Sequence, residues 1–133
     1  MSSKVKYLSS ILAPVSLGEL IDKITILDIK QIHMTGIKLN NVDKELKQLK
    51  KILQDQHLEI DIDLLNNLKA VNKNLWEIED NIRIKESTQK FGKEFIDLAR
   101  SVYKENDGRA SIKKGINLKY SSDFVEEKLY NQY

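Results

Sequence analysis

The side chains best suited to chemistry in this sequence are charged and amide groups that border the apolar positions of predicted helices. An α-helix advances by about 100° per residue, so Asn72, Trp76, Glu79, Arg83 and Glu86 fall within an arc of about 80° beside an apolar stripe. Side chains next to a core are expected to be partly buried, where an unpaired charge is costly. Glu79 and Arg83 are four residues apart and can pair. This row is either a structural salt bridge beneath the tryptophan or a surface that faces a ligand.

A second polar row lies on the first predicted helix. Glu19, Lys23 and Lys30 follow one another with Ile26 between them, again beside the core face, and Glu19 with Lys23 is a plausible pair. Asp22 is predicted to lie nearby, on the outer side of this helix. The row therefore repeats the pattern of charged groups flanking apolar ones.

A third polar row depends on whether the fourth helix continues through Gly108. If it does, Asn106, Arg109 and Lys113 continue the stripe of Phe91 and Phe95 and point inward or into a cleft. If instead Asn106-Asp107-Gly108 forms a turn, the row is broken. The sequence leaves both alternatives open.

Three rows on three helices could meet in one groove of a bundle. The three arginines (against 19 lysines) are either the result of drift in an AT-rich coding sequence or positions where the planar guanidinium is needed. Such a groove would suit an anionic or phosphorylated ligand, or it would be a buried polar network that fixes helix register. Its candidate lining residues are Glu19, Lys23, Trp76, Glu79, Asp80, Arg83, Arg100, Tyr103, Asn106, Arg109 and Lys113.

Two pairs of carboxylates offer a weaker alternative, a magnesium site. Glu77 with Asp80 and Glu94 with Asp97 have the same spacing, and carboxylate oxygens on adjacent helices could hold Mg²⁺. The arrangement resembles the E-x-x-E and E-x-x-D pattern of the all-α nucleoside triphosphate pyrophosphohydrolases. It departs from that pattern because Asp80 stands where a glutamate is expected and the other acidic pairs are absent. Since such pairs are also common on solvated helices, no metal or other cofactor is expected, and Mg²⁺ enters only with this alternative.

Composition limits the class of protein. The chain has 133 residues, no cysteine and a net charge of +2 from 22 basic and 20 acidic side chains. This length suits one domain, and the charge balance gives no reason to expect nucleic acid as a partner. We see no leader peptide and no apolar stretch of the roughly 18 residues that span a bilayer, so a cytoplasmic protein is expected.

The elements that must position these side chains are helices. The sequence predicts an all-α fold, a bundle of four to five helices with a helical hairpin and a docked C-terminal tail, forming a single domain over 1–133. An N-terminal segment (1–15) precedes a first helix over about 17–34, which Gly36 is expected to terminate, and a second helix starts near Asn40 or Asn41. A third helix starts at Asp61 or Asp63 and ends near Glu86, and a fourth follows the turn at 87–90. The tail (120–133) is expected to dock as a short helix.

Five segments of the sequence form a specific combination: G-E-L-I-D-K-I-T-I-L (18–27), L-W-E-I-E-D-N-I-R (75–83), L-A-R-S-V-Y (98–103), N-D-G-R-A (106–110) and E-E-K-L-Y (126–130). Together they resemble one bacterial family of short, uncharacterised all-helical proteins, a domain of unknown function. The resemblance implies a small helical protein and identifies no reaction.

Two functional hypotheses follow. The first is a non-enzymatic interaction or accessory protein whose polar groove binds a partner or a small anionic molecule. Self-association is expected from the broad apolar coverage of the first helix and from the seam over 42–53. The second is a small α-helical enzyme for a phosphorylated or sugar-nucleotide substrate. The second hypothesis requires one cleft shared by Glu79, Asp80, Arg83, Arg100 and Arg109.

Overall fold

The fold is all-α, as the sequence predicts. The computed structural model describes residues 10–133, and within this range it contains four helices and no strand. They are α1 (Leu17–His33), α2 (Gly36–Asp55), α3 (Ile62–Ser87) and α4 (Lys93–Lys119). The first nine positions of the predicted N-terminal segment lie outside the described residues.

Two helix starts follow from local side-chain chemistry. The Ser16 hydroxyl accepts a hydrogen bond from the backbone N–H of Glu19 at 3.1 Å and caps α1. Asp61 caps α3 by accepting from the backbone N–H groups of Asp63 and Leu64, at 2.9 and 3.2 Å. Both side chains satisfy N–H groups that the first turn of a helix leaves without partners.

The turn between α1 and α2 differs from the prediction. Helix α1 ends at His33, and the N–H of Met34 still donates to the carbonyl of Lys30. Gly36 was expected to end the first helix, but it begins α2, four residues before the predicted start at Asn40. Its φ of +63° lies in the left-handed region that glycine adopts without a steric penalty, so a short connection suffices.

Helix α1 lies at the centre and contacts all three other helices. On one side Leu20, Ile24 and Leu27 pack against Val42 and Leu46 of α2. The seam over 42–53, which suggested self-association, is thus covered by α1 of the same chain. Each of these buried side chains contributes about 1.5–3 kcal/mol, so this packing holds α2 in place.

The opposite side of α1 packs on α3 and α4. Ile21 forms a second core cluster with Leu68 and Ile116, all at most 1% exposed. Helices α3 and α4 are antiparallel, because Leu64 lies beside Gly115 while Lys85 pairs with Glu94. Helix α1 is thus covered by other helices on both flanks.

Helix α4 continues through Gly108 without a break, so one of the two alternatives for this region is settled. A glycine inside a helix costs about 1 kcal/mol relative to alanine, which the packing of a 27-residue helix on two others can outweigh. Phe91 lies before the helix and is 52% exposed, with its ring edge-on to Phe95. The polar row of α4 therefore does not continue a buried stripe that includes Phe91.

The C-terminal tail docks, but the prediction of a short helix there is wrong. After the turn at Tyr120 and Ser121 the chain has no helical hydrogen bonds and runs back along α4. Glu126 reaches Lys113, and near the chain end Tyr133 reaches Asp107. Polar contacts and the ring contact of Tyr133 with Tyr103 hold the tail on α4, while its apolar Leu129 stays 97% exposed. Across residues 10–133, the helices are too short or too polar to cross a bilayer.

Candidate functional site

The centre of the polar site is the carboxylate of Asp22, which is 1% exposed and lies among α1, α3 and α4. Arg109 approaches it with two nitrogens: Nε donates to Oδ1 at 2.9 Å, and Nη2 donates to Oδ2. Asn72 of α3 donates from Nδ2 to Oδ1 at 2.9 Å. The buried charge is therefore paired and hydrogen-bonded from two neighbouring helices, which is what such burial requires.

Thr25 completes this network one turn further along α1. Its hydroxyl donates to the carbonyl of Asp22 at 2.7 Å and accepts from Nδ2 of Asn72 at 2.8 Å. Both side chains are buried, so the amide of Asn72 ties α3 to α1 through two oxygens. The prediction that Asp22 lies on the outer side of its helix is wrong, because α3 and α4 cover that side.

Lys113 of α4 lies next to Asp22, with a side chain only 8% exposed. Its Nζ contacts Oε2 of Glu19 at 2.6 Å and Oε2 of Glu126 at 2.9 Å, and it lies 3.8 Å from Oδ2 of Asp22. Burial by itself lowers the pKa of Lys113, but the hydrogen bonds to Glu19 and Glu126 outweigh it and raise the pKa above the ordinary 10.5. Lys113 therefore stays charged and is held by carboxylates from α1 and from the tail.

A close approach of α1 to α4 brings these groups together. Gly18 donates its N–H to Oδ1 of Asn117 at 2.7 Å. A Cβ at Gly18 would lie 2.6 Å from the carbonyl oxygen of Lys113, which is too short for any real contact. The absent side chain thus lets Glu19, the next residue, reach Lys113.

The pocket beside Lys113 has a volume of about 300 Å³ and opens between α1, α4 and the tail. Arg109 directs its remaining nitrogen, Nη1, toward Oδ1 of Asn106 at 3.5 Å. The hydrogen bond to Asp22 raises the pKa of Arg109, and the hydrogen bond from Lys113 lowers the pKa of Glu126. The pocket is lined by Glu19, Asn106, Arg109, Ala110, Lys113, Glu126 and Lys128.

Four predicted groove residues meet at this pocket: Glu19, Asn106, Arg109 and Lys113. Asn72, which belongs to the predicted row of α3, contacts the same network. The sequence did not predict that Glu126 contacts Lys113, because an extended tail has no helical periodicity from which its neighbours could be predicted.

Other predicted groove residues lie elsewhere. Lys23 pairs with Glu45 of α2 at 3.0 Å instead of with Glu19. Trp76 stacks on His33, with ring centroids 4.8 Å apart and planes 19° from parallel. The tryptophan therefore covers the end of α1 and forms no lid over a salt bridge.

Glu79 and Arg83 pair with each other, as their spacing predicts, but on an exposed surface. Asp80 and Arg100 are exposed as well. Since α3 and α4 are antiparallel and each residue rises about 1.5 Å, Arg83 lies near the level of Ile96, about 20 Å along α4 from Arg109. The convergence that the enzyme hypothesis requires is not found.

Tyr103 lies in a second, larger space of about 850 Å³ between α4 and the end of the tail. Its ring meets that of Tyr133 at 5.1 Å, and the Tyr133 hydroxyl donates to Oδ2 of Asp107 at 2.6 Å. This hydrogen bond raises the pKa of Tyr133. The aromatic contact fixes the end of the tail on α4.

The carboxylates considered for Mg²⁺ do not form a common site. Glu94 pairs with Lys85, and Glu77, Asp80 and Asp97 are exposed. Among residues 10–133, no three His, Cys, Asp or Glu side chains lie close enough together to hold a metal ion.

Comparison with known proteins identifies a family and no relative of known function. Residues 12–133 match a family described as a family of unknown function (DUF6165). No curated protein and no solved structure matches the chain. The match covers every residue of the pocket described above.

Proposed function

We propose that this chain, which belongs to the DUF6165 family of unknown function, is a non-enzymatic binding protein whose pocket beside Lys113 takes an anionic group, a phosphate or a carboxylate. One observation carries the proposal. The buried ammonium of Lys113 is neutralised by carboxylates that are themselves 41–44% exposed, and one of them comes from the C-terminal tail. The position of the Glu126 carboxylate is the position that we assign to the ligand's anionic group.

The charges around the pocket support an exchange of this kind. With the tail docked, three cations (Arg109, Lys113 and Lys128) face three carboxylates (Glu19, Asp22 and Glu126). Glu126 and Lys128 both belong to the tail, so when the tail leaves, Arg109 and Lys113 remain beside Glu19 and Asp22, and Lys113 loses one of its two hydrogen-bonded carboxylates. A ligand oxyanion in the place of Glu126 then accepts the charge-assisted hydrogen bond that Lys113 donated to it.

The surroundings of Lys113 and of the tail carboxylate indicate that the tail is the part that leaves. A buried ammonium without a partner is costly, so Lys113 needs an anion beside it. The Glu126 carboxylate is 41% exposed and belongs to an extended tail, whereas Glu19 and Asp22 are fixed on α1. A ligand that binds Lys113 therefore competes with the tail carboxylate and leaves the core of the protein unchanged.

The surrounding side chains are arranged for binding. Nε and Nη2 of Arg109 are committed to Asp22, so only Nη1 faces the pocket. Asn106, which also lies on α4, adds a neutral amide. Lys113, Arg109 and Asn106 together suit an oxyanion, which supports an accessory protein that holds an anionic small molecule or the acidic group of a partner.

Calorimetric titration of the full chain tests the proposal, with inorganic phosphate and a nucleoside diphosphate sugar as the probes. We expect Lys113→Gln to weaken binding by about tenfold or more, since a hydrogen bond to a charged group contributes about 1.5–3 kcal/mol. Glu126→Gln should strengthen binding, because it removes the competing carboxylate and leaves the pocket residues of α1 and α4 in place.

Glu127→Gln is the matched control. Glu127 neighbours Glu126 in the tail, but it contacts Lys114 at 3.5 Å and has a side chain 74% exposed, so its removal should not change binding. Equal effects of Glu126→Gln and Glu127→Gln on binding would contradict the proposal. It would also be contradicted if neither probe bound to the original protein or to Glu126→Gln.

A further inference from the structure

Helices α3 and α4 extend beyond the pocket as an antiparallel pair, which we call the arm and define as residues 77–105. Between Lys73 and Ile112 no described residue is buried. Every buried side chain of α3 and α4, such as Leu68 and Ile116, lies outside the arm. The arm is therefore a two-helix hairpin without a closed core.

The arm nevertheless carries many apolar side chains. A half-buried row consists of Ile78 and Ile82 on α3 with Phe95, Leu98 and Val102 on α4. Three further apolar residues are more than half exposed: Ile84 at 57%, Phe91 at 52% and Ile96 at 53%. Two helices cannot enclose such a row, whereas four helices in a bundle can.

The charges of the arm differ between its two ends. The tip, residues 83–94, has four basic and two acidic side chains. The base, residues 77–82 and 95–105, has five acidic and two basic ones. A second copy placed antiparallel would lay each tip beside the other's base, so opposite charges would face each other. A parallel copy would bring tip to tip, where like charges repel.

We propose that the arm is a self-association surface and that its occupant is the arm of a second copy of this chain. The two hairpins form an antiparallel four-helix bundle with a twofold axis, and the half-buried row closes between them. A twofold pairing uses the same patch on both chains, which the self-complementary charge pattern of the arm fits.

Sedimentation equilibrium of the full chain tests this proposal. We expect a mass approaching twice 15.4 kDa as the concentration rises. Phe95→Glu should raise the dissociation constant by tenfold or more, because it places a charge in the half-buried row, and its position in an arm without buried residues means that the monomer should still fold.

Leu118→Glu is the matched control, since Leu118 is a 63% exposed apolar residue of α4 outside the arm. It should leave association unchanged. A monomer at all concentrations overturns the proposal, and so does association that Leu118→Glu weakens and Phe95→Glu does not. Circular dichroism of both variants shows whether the helices are retained.

A spin label near the tip of the arm tests whether the two arms are antiparallel. The chain has no cysteine, so Ser87→Cys gives a single attachment point for a spin label near the tip. In the antiparallel bundle the two labels are separated by about 15–20 Å or more, the length of an arm of roughly 11 residues per helix. Labels in direct contact would overturn the antiparallel arrangement.

Discussion

At the residue scale, the protein contains two arginine–carboxylate pairs in opposite surroundings. Asp22 is 1% exposed and meets Arg109 with both carboxylate oxygens, whereas Glu79 and Arg83 pair at 46% and 71% exposure. Breaking a buried pair leaves a charge without compensation and costs about 3–5 kcal/mol. An exposed pair four residues apart on a helix contributes about 0.3–0.5 kcal/mol.

We therefore expect Asp22→Asn to lower the free energy of unfolding by about 3–5 kcal/mol and Glu79→Gln by about 0.5 kcal/mol or less. Urea unfolding followed by circular dichroism measures both. Similar losses of unfolding free energy in the two variants would show that the buried pair of Asp22 stabilises the fold no more than the exposed pair of Glu79.

Two glycines provide a second comparison at this scale. Gly18→Ala should destabilise the fold by about 1–3 kcal/mol, because its Cβ would lie 2.6 Å from a backbone oxygen of α4 and would force two helices apart. Gly108→Ala should stabilise it by about 0.5–1 kcal/mol, because a Cβ there has no neighbour within 4 Å and alanine favours a helix. Thermal unfolding of the two variants shows whether each substitution stabilises or destabilises the fold. A stabilised Gly18→Ala would contradict the close approach of α1 to α4 at Gly18.

At the element scale, the parts predicted from sequence are those that short-range physics determines. The starts predicted at about 17 and at Asp61 or Asp63 agree with those of α1 and α3, because a capping side chain, here Ser16 or Asp61, acts on the next three residues. Gly36 was placed at the wrong end of a turn, since a glycine that tolerates positive φ can either end one helix or begin the next. Whether a helix continues through Gly108 depends on packing against α1 and α3, which local sequence does not contain.

The same limit applies to the candidate site. Helical periodicity predicted that Asn106, Arg109 and Lys113 share one face of the fourth helix, and in the structure all three line one pocket. Periodicity did not reveal that α3 and α4 cover α1 on two sides, so Asp22 was predicted to lie on the outer side of this helix. The contact of Glu126 with Lys113 joins an extended tail to a helix, and no local pattern predicts it.

Tyr120 links the loop before α3 to the end of α4, and its hydroxyl offers a test of that connection. The hydroxyl accepts from the N–H of Asp61 at 2.7 Å and donates to the carbonyl of Glu59 at 2.8 Å. We expect Tyr120→Phe to cost about 1–2 kcal/mol, since it leaves two backbone groups unpaired. Tyr130→Phe, at 72% exposure, should cost nothing measurable by urea unfolding. Equal stability of the two variants would contradict the anchoring role.

At the scale of the whole molecule, α1 is the element on which two different units assemble. Helix α2 covers one side of it, while α3 and α4 cover the other and extend into the arm. Lys113 lies 19 residues from Glu94 on the same helix, which is about 28 Å. The pocket and the tip of the arm are thus far apart, and ligand binding and self-association are expected to be separable by mutation.

Attachment of the tail should depend on pH at both extremes. The pKa of Glu126 is lowered from its ordinary 4.5, mainly by its hydrogen bond from Lys113, so its contribution to docking is present above that value and is lost as the pH falls through the lower folded value. The pKa of Lys113 is raised above 10.5, so its contribution is present below that value and is lost as the pH rises through the higher folded value.

The prediction is that the tail detaches in acid while the helices remain. Amide signals of residues 124–130, followed by NMR from about pH 7 to about pH 3, should shift toward those of an unstructured chain as Glu126 is protonated, since Lys113 then keeps only Glu19 and Asp22 as partners and Tyr133 still contacts α4. Glu126→Gln should have the detached signals already at neutral pH, whereas Glu127→Gln should titrate like the original protein. Tail signals that do not change with pH, or that change equally in both variants, would mean that the contact with Lys113 does not hold the tail, and would remove the reason to expect a ligand in its place.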